Sequence, residues 1–173
     1  FEASRFRYTC AVVGCKIYIP QDYGTALEIY DTATGDVETI ANAFTASRNR
    51  VTCALVGNKI YLPQDVGKTL EIIDTETGAI ETTVNAFTVS RLRKTCAVVG
   101  DKVYIPENSG RALDIIDTVT GQVTTIVNAF TVSRWRFTCT VIGSKIYLPE
   151  HRGTALEIYD TVTGQVTTIV NAF

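Results

Sequence analysis

The sequence predicts an all-β protein built from four copies of one four-stranded unit. The first observation behind this prediction is an internal repeat of 43 residues without insertion or deletion. The second is that each copy holds four short segments rich in β-branched and aromatic residues, separated by turn-forming residues. The third is that no segment has the apolar period of an amphipathic helix. The copies cover residues 1–43, 44–86, 87–129 and 130–172, and Phe173 begins a further copy.

The first two strands of each copy form a predicted hairpin. In the first copy, strand a is RYTCAVV (7–13) and strand b is KIYIP (16–20). Gly14 and Cys15 separate them and suit a two-residue turn, because glycine at the first turn position adopts a positive φ without strain. Pro20 ends strand b, since proline has no N–H group for the next ladder bond.

A loop, two further strands and one turn complete each copy. In the turn after strand c, Asp31 is placed to accept hydrogen bonds from backbone N–H groups, and Gly35 is free to take a positive φ. In the first copy the remaining elements are the b–c loop QDYG (21–24), strand c TALEIYD (25–31), the turn TATG (32–35) and strand d DVETIA (36–41).

The length of the repeat indicates a β-propeller, whose blades are four-stranded sheets of about 40–50 residues. One such sheet cannot bury both faces alone, whereas blades packed face to face can. The runs AVV (11–13) and IYI (17–19) fit this packing, because a half-exposed strand would alternate apolar and polar residues. A β-solenoid is the alternative, but its repeats are usually shorter and its strands are not joined by tight hairpins.

Four blades leave the closure of the propeller open, since closed propellers have about four to eight blades. The repeat is compatible with a closed four-bladed ring, with an eight-bladed ring made by two chains, and with part of a longer array or fibre. The absence of methionine and the new copy that begins at Phe173 favour the longer array. Repeat arrays need atypical polar ends, and neither end has them, so we expect contacts with identical chains.

Two parts of the repeat resemble known propeller families. The run SRFRYTCAVVGCKIYI (4–19), followed by LEIYDTATG (27–35), resembles the kelch motif, and IYDTATGDVETI (29–40) resembles the blades of YVTN-type surface proteins. The chain has PQD (20–22) where kelch blades carry Gly-Gly, and it lacks their tryptophan in the fourth strand. The resemblance implies a propeller with strand a innermost that binds proteins or displays loops more often than it catalyses. It also favours an extracellular or cell-surface location.

Composition and charge argue against several classes of function. The formal net charge is −2 without a run of like charges, whereas nucleic-acid-binding surfaces usually show a basic excess. No apolar run approaches the ~18 residues that suggest a membrane span. No glycine-rich phosphate-binding loop is present. We therefore expect no nucleic-acid partner, no membrane span and no cofactor.

An SRxR motif opens every copy and supplies the first candidate site. If strand a is innermost, these eight arginines ring one mouth of the channel, where guanidinium groups suit carboxylate, phosphate or sulfate ligands. The alternative is ion pairing with acids that recur in strand c, which is the usual fate of a regular charge pattern. The arginines are Arg5, Arg7, Arg48, Arg50, Arg91, Arg93, Arg134 and Arg136; the acids are Glu28, Glu71, Asp114 and Glu157, or Asp31, Asp74, Asp117 and Asp160.

Trp135 is the only tryptophan and lies between two arginines of the last motif. Its position holds Phe6, Asn49 and Leu92 in the other copies, so an aromatic residue is not required there. We expect Trp135 to be a local packing variant.

Five cysteines rule out a disulfide framework confined to one chain, because at least one cannot pair. Four of them share one position in strand a, where a fourfold arrangement could present thiolates to zinc. We favour the alternative of small buried side chains and predict no metal site, because zinc sites normally use close Cys pairs in sequence. Cys15 should be exposed at its hairpin tip and able to form an intermolecular disulfide. The four equivalent cysteines are Cys10, Cys53, Cys96 and Cys139.

The b–c loops are the second candidate site, because their chemistry differs from copy to copy. Loops on a rigid scaffold often carry binding sites, and these acids, amides and Tyr23 suit a glycan. Drift in an unconstrained loop is the alternative. His151 has no identifiable Ser or Cys partner, so we expect no catalytic role for it. The candidate ligand-binding residues of these loops are Asp22, Tyr23, Asp65, Asn108 and His151.

These observations predict a non-enzymatic propeller module with a structural, self-assembling role. Near-identical blades argue against catalysis, because an enzyme needs one site that differs from its surroundings. The alternative is a ligand-binding propeller, lectin-like or protein-binding, that uses the b–c loops or the arginines on a glycan or an anionic ligand. An enzyme is the third and least supported hypothesis.

Overall fold

A computed structural model describes residues 6–173 and confirms the all-β class. The described chain forms four antiparallel sheets of four strands each. Within every sheet the strands follow chain order, so each strand pairs with the next one along the sequence. Each sheet therefore has the strand number and order of one propeller blade. Among residues 6–173, no helix is long and apolar enough to cross a membrane.

The strand bounds recur with the period of the sequence. Blade 1 comprises β1 (Ala11–Val13), β2 (Lys16–Pro20), β3 (Leu27–Asp31) and β4 (Val37–Ile40). Blade 2 comprises β5 (Ala54–Val56), β6 (Lys59–Pro63), β7 (Leu70–Asp74) and β8 (Ile80–Thr83). Blade 3 comprises β9 (Ala97–Val99), β10 (Lys102–Pro106), β11 (Leu113–Asp117) and β12 (Val123–Ile126). Blade 4 comprises β13 (Thr140–Ile142), β14 (Lys145–Pro149), β15 (Leu156–Asp160) and β16 (Val166–Ile169).

The prediction for strand b is confirmed, and the prediction for strand a is too long. In blade 1, strand a covers only Ala11–Val13, and residues 7–10 before it belong to no strand. The Asp22 N–H donates to the Phe6 carbonyl, and the two residues form an isolated antiparallel bridge. Phe6 therefore ties the segment before strand a to the b–c loop of the same blade.

The turn after strand c is built as the sequence predicts. Asp31 Oδ1 accepts the N–H groups of Ala33 at 2.8 Å and Thr34 at 3.3 Å. Gly35 has a φ of 83°, in the left-handed region that favours glycine. Thr32 Oγ1 also donates to the Cys15 carbonyl at 2.9 Å, which ties this turn to the a–b hairpin.

Each sheet has two apolar faces that pack differently. We call the face with Ala11, Tyr18 and Leu27 the leading face, and the face with Ile17 and Ile19 the trailing face; the same names apply to the equivalent positions of other blades. In the first two blades, the leading face of blade 1 and the trailing face of blade 2 form one core. Blades 3 and 4 form a second core with the same arrangement.

The chain divides into two compact units at the boundary between Ala86 and Phe87. Each unit therefore contains one complete blade-to-blade joint. The joint of the first unit combines Ala11, Tyr18 and Leu27 of blade 1 with Phe44, Ile60, Leu62 and Ile73 of blade 2. The joint of the second unit combines Ala97, Tyr104 and Leu113 of blade 3 with Phe130, Ile146, Leu148 and Tyr159 of blade 4.

Three of the turn aspartates make the folded state sensitive to acid. Hydrogen bonds from the backbone of Thr77, Thr120 and Thr163 are the main cause of a lowered pKa at these carboxyl groups. A carboxyl group with a lowered folded-state pKa stabilises the fold above its unfolded pKa, and that contribution is lost as the pH falls through the folded pKa. The three carboxyl groups are those of Asp74, Asp117 and Asp160.

We expect the triple variant D74N/D117N/D160N to lose less stability than the parent chain as the pH falls below about 4. Asparagine keeps an oxygen that accepts the turn hydrogen bonds but has no proton to gain. Urea unfolding followed by circular dichroism over a pH series measures this difference. The matched control is D36N/E38Q/D101N, which removes three exposed carboxylates. Equal pH dependence in the two triple variants would contradict the prediction.

Candidate functional site

The second arginine of each SRxR motif is buried in blades 2 to 4. Arg50, Arg93 and Arg136 are all 0% exposed. Their Nε atoms donate to an acid of strand c in the same blade: Glu71 at 2.5 Å, Asp114 at 3.0 Å and Glu157 at 2.7 Å. These acids are also buried, so each pair is an ion pair removed from water. Ion pairing with strand c acids, the alternative to ligand binding, is thus present in all three blades.

The same guanidinium group reaches into the preceding blade. Arg50 Nη1 donates to the carbonyls of Gln21 at 3.0 Å and Gly24 at 2.8 Å, both in the b–c loop of blade 1. Its Nη2 donates to the Ala46 carbonyl at 3.0 Å. The guanidinium carbon lies 3.8 Å from the ring centroid of Phe44, a cation–π contact. One side chain therefore links the strand, the motif and the neighbouring blade.

The joint between blades 3 and 4 repeats these contacts. Arg136 Nη1 donates to the carbonyls of Glu107 at 3.1 Å and Gly110 at 2.7 Å. Its guanidinium carbon lies 3.9 Å from the ring centroid of Phe130. Because the same donors and acceptors recur at the same positions, the blade-to-blade joint is part of the repeat.

Asp22 and Asn108, predicted as ligand-binding residues, lie inside these joints. Asp22 Oδ1 accepts the backbone N–H of Arg50 at 2.7 Å, and Asn108 Oδ1 accepts that of Arg136 at 2.8 Å. Both side chains are buried, as is Asp65 at the equivalent position of blade 2. In this arrangement the loop acceptors hold the next blade and are turned away from solvent.

Arg7 occupies the same position in blade 1 but is more open to solvent. It forms a bidentate pair with Glu28, and the hydrogen bond to this carboxylate is the main cause of its raised pKa. Its side chain is 24% exposed, against 0% for Arg50. Arg5, the first arginine of this motif, lies outside the described residues.

The first arginines of the other motifs are half-buried beside acids. Arg91 Nη1 lies 3.2 Å from Glu107 Oε2, and Arg134 Nη1 lies 2.6 Å from Glu150 Oε2. Arg48 Nε lies 3.5 Å from Glu71 Oε1. Within residues 6–173, the Nε atoms of these three arginines have no hydrogen-bond partner. These Nε atoms are buried, and those of Arg48 and Arg134 lie 3.5 and 3.6 Å from the strand c acids Glu71 and Glu157.

Cys53 and Cys139 are half-buried at the joints between neighbouring blades, whereas Cys10 is exposed, so the predicted burial is wrong for Cys10. Cys53 Sγ lies 3.1 Å from Thr9 Oγ1 and 3.2 Å from the Cys10 carbonyl of blade 1. Burial raises the pKa of the Cys53 thiol, which disfavours the thiolate that zinc requires. Cys139 has equivalent contacts with Thr95 and Cys96, and burial raises its pKa as well. Among residues 6–173, no three His, Cys, Asp or Glu residues are placed to hold a metal ion. Cys15 is exposed at its hairpin.

The b–c loops share one unusual backbone position. The third residue of each loop has a positive φ although none of the four is glycine. In blade 1 this residue is Tyr23, whose hydroxyl accepts a hydrogen bond from Asn49 Nδ2 of blade 2 at 2.8 Å. The four residues and their φ values are Tyr23 at 53°, Val66 at 49°, Ser109 at 63° and Arg152 at 59°.

Blade 4 carries an aromatic cluster that the sequence analysis did not assemble. The His151 ring stacks on Trp135 with centroids 6.2 Å apart and contacts Phe137 with centroids 4.6 Å apart. Trp135 is 47% exposed, so it is a surface residue that forms one wall of a shallow pocket. A signal existed in the sequence, since blade 4 is the only copy with an aromatic side chain at all three positions. The pocket is lined by Ser133, Arg134, Trp135, Glu150, His151 and Arg152.

The apolar faces of blades 1 and 4 are unequal in burial. Trailing-face positions are buried in blades 2, 3 and 4 but half-buried in blade 1, at Ile17, Ile19 and Tyr30. Leading-face positions are buried in blades 1, 2 and 3, whereas in blade 4 Thr140 is exposed and Tyr147 and Leu156 are half-buried. The buried trailing-face residues are Ile60, Leu62, Ile73, Val103, Ile105, Ile116, Ile146, Leu148 and Tyr159. The buried leading-face residues are Ala11, Tyr18, Leu27, Ala54, Tyr61, Leu70, Ala97, Tyr104 and Leu113.

Comparisons with known proteins support the propeller fold. No protein-family profile matches the sequence, and no curated protein is similar to it, so the resemblance to kelch and YVTN blades stays a prediction. Among solved structures, the chain is similar to the WD40 repeats of RRP9 (10% identity, TM-score 0.73, 98% of this chain and 52% of that one). It is also similar to YjhT (14%, 0.73, 96% and 66%). A third is hydrazine synthase of Kuenenia stuttgartiensis (15%, 0.71, 91% and 46%).

At these identities the similarity shows the fold alone. The chain spans about half of the RRP9 and hydrazine synthase chains and 66% of YjhT. The four described sheets thus have the architecture of propeller blades.

We expect Arg50→Met to lower the free energy of unfolding by about 3–5 kcal/mol, because it leaves the buried Glu71 carboxylate with only the more distant Arg48 as an ion-pair partner. Arg7→Met should cost clearly less, since Arg7 is partly exposed to water. The double variant R50M/E71L should recover part of the loss, because the buried Glu71 carboxylate that lost its main partner is then removed. Urea unfolding measures all three. Equal losses for R50M and R7M would show that burial of the pair is unimportant.

Proposed function

We propose that this chain is a non-enzymatic β-propeller module with a structural role, and that it self-assembles with identical chains. The observation that carries this proposal is the unequal burial of equivalent apolar positions. Side chains that are buried at three blades stand partly in water at the trailing face of blade 1 and the leading face of blade 4. Contiguous exposed apolar surface of this kind favours association.

The charged residues support a structural role. A catalytic acid or base must combine a perturbed pKa with access to a substrate. The strand c acids Glu71, Asp114 and Glu157 are at most 2% exposed, and each is neutralised by a buried arginine. The repeat thus places these buried ion pairs at the contacts between blades, away from any substrate.

We expect multi-angle light scattering of the 173-residue chain to give a mass above 18.9 kDa that rises with concentration. Ile19→Glu, in the trailing face of blade 1, should shift the mass towards that of the monomer, because it places a charge in the apolar contact. Val119→Glu is the matched control, since Val119 is 76% exposed in a turn. A monomer at all concentrations would overturn the proposal.

The aromatic cluster of blade 4 favours a second candidate function, in which the module binds a glycan or an anionic ligand. Trp135, Phe137 and His151 form an exposed aromatic surface, and Arg134, Glu150 and Arg152 supply polar groups around it. Aromatic side chains with a few converging polar groups are typical of small-molecule sites.

Trp135 makes this second candidate directly measurable, because it is the only tryptophan of the chain. Titration with neutral oligosaccharides and with sulfated heparin fragments should change its fluorescence if the cluster binds either class. Trp135→Ala should then abolish retention on the corresponding affinity resin. Val119→Ala is the control, because Val119 is 76% exposed in a turn of blade 3 and lies outside the cluster. No fluorescence change with either class would remove this candidate.

A further inference from the structure

We infer that the trailing face of blade 1 binds the leading face of blade 4 of a second copy of this chain, with the geometry of the internal blade joints. This inference rests on the proposed self-assembly and specifies its contact. The partner is a second copy because the two faces complement each other in the way that neighbouring blades already do.

Most apolar residues of the two faces match those of the internal joints, and Thr140 stands where the joints have Ala11 or Ala97. In the first unit, Tyr18 and Leu27 of the leading face pack with Ile60 and Leu62 of the trailing face. Blade 4 presents Tyr147 and Leu156 at the leading positions, and blade 1 presents Ile17 and Ile19 at the trailing positions. Val12 and Ile142 extend these faces and are 57% and 66% exposed, against half-buried Leu55 and Val13 in the formed joint.

The polar groups of the joint are also present on both faces. In the formed joints, the buried arginine donates to two loop carbonyls of the preceding blade, at Gln21 and Gly24 or at Glu107 and Gly110. The equivalent carbonyls of blade 4 belong to Glu150 and Gly153, and the equivalent arginine of blade 1 is Arg7. Docking would bury the 24% of Arg7 that solvent now reaches.

At two positions of this contact the residues differ from those of the first joint, and the two differences are complementary. In the first unit, Tyr23 of the loop bonds to Asn49 of the next blade. The equivalents at the inferred contact are Arg152, which is exposed, and Phe6, which is 66% exposed. A polar pair is thereby replaced by a guanidinium and an aromatic ring, which attract each other as a cation–π pair.

The loop acceptor at this contact differs from the internal ones. His151 stands where Asp22 and Asn108 accept the N–H of the next blade's arginine. Its ring is engaged with Trp135 and Phe137 instead. The contact between copies therefore lacks one hydrogen bond of the internal joint, which suits an association that is weaker than the packing inside one chain.

The contact between Thr9 and Cys53 allows the inference to be tested by disulfide formation. Thr9 Oγ1 lies 3.1 Å from Cys53 Sγ across the first joint, so a thiol introduced at position 9 would lie within disulfide reach of Cys53. The equivalent positions at the inferred contact are Thr138 of one copy and Cys10 of the other. Thr138→Cys should therefore form a disulfide with Cys10 of a second copy.

The experiment uses the 173-residue chain with Cys15→Ser, which removes the exposed hairpin thiol. Mild oxidation of T138C should give disulfide-linked dimers or a ladder on non-reducing gels, and reduction should return the monomer. T138C/C10S should lose these bands. T9C is the matched positive control, because its disulfide with Cys53 should form within one chain and leave the monomer mass unchanged.

Each other outcome overturns the inference. A disulfide between Cys10 and the thiol introduced at position 138 that leaves the chain monomeric would show that one chain closes on itself. Oligomers in light scattering without this crosslink would leave self-assembly standing and show that the contact lies elsewhere. A monomer in light scattering without crosslinks would overturn both the contact and the proposed function.

Discussion

The buried pair of an arginine and a strand c carboxylate determines how the blades of this protein stack. A guanidinium group without solvent needs acceptors for its donors, and Arg50 has them only when Glu71 and the loop of blade 1 are in place. Ion pairs removed from water contribute little net stability compared with apolar packing. Their role here is to fix geometry, since the planar guanidinium group of arginine binds its acceptors in a defined arrangement. The apolar faces supply the free energy of stacking, and the arginine selects its register.

This division explains which positions vary among the copies. The positions of Arg50, Glu71 and Phe44 hold nearly the same chemistry in every blade, because each takes part in the joint. Asp114 in blade 3 keeps the carboxylate and is one methylene shorter, and it still reaches Arg93. The third loop residue is exposed in every blade, and the residue between the two arginines is half-buried or exposed, so both positions tolerate different side chains. The surface residues of the loops and motifs can therefore differ between blades while the packing between blades stays the same.

Sequence reasoning predicted the blade well and the space between blades poorly. The strand bounds of KIYIP and the turn at Asp31 follow from local chemistry, namely a proline without an N–H group and a carboxylate that accepts turn hydrogen bonds. The prediction of a long strand a was wrong because residues 7–10 form no ladder with strand b, and Phe6 before them pairs with Asp22 of the b–c loop. Neither the role of Asp22 in the next blade nor the stacking of His151 on Trp135 follows from local pattern, since both depend on where the folded chain places its neighbours.

The repeated joint has a consequence for how such a gene can change. The described joints within the two units take their residues from two adjacent copies, and they use the same positions each time. Recombination between copies adds or deletes 43 residues in phase, so a new boundary again joins one leading face to one trailing face. A chain that gains or loses one whole copy in this way keeps the contacts that each joint uses. Selection is left to act on the number of blades separately from the sequence of any one of them.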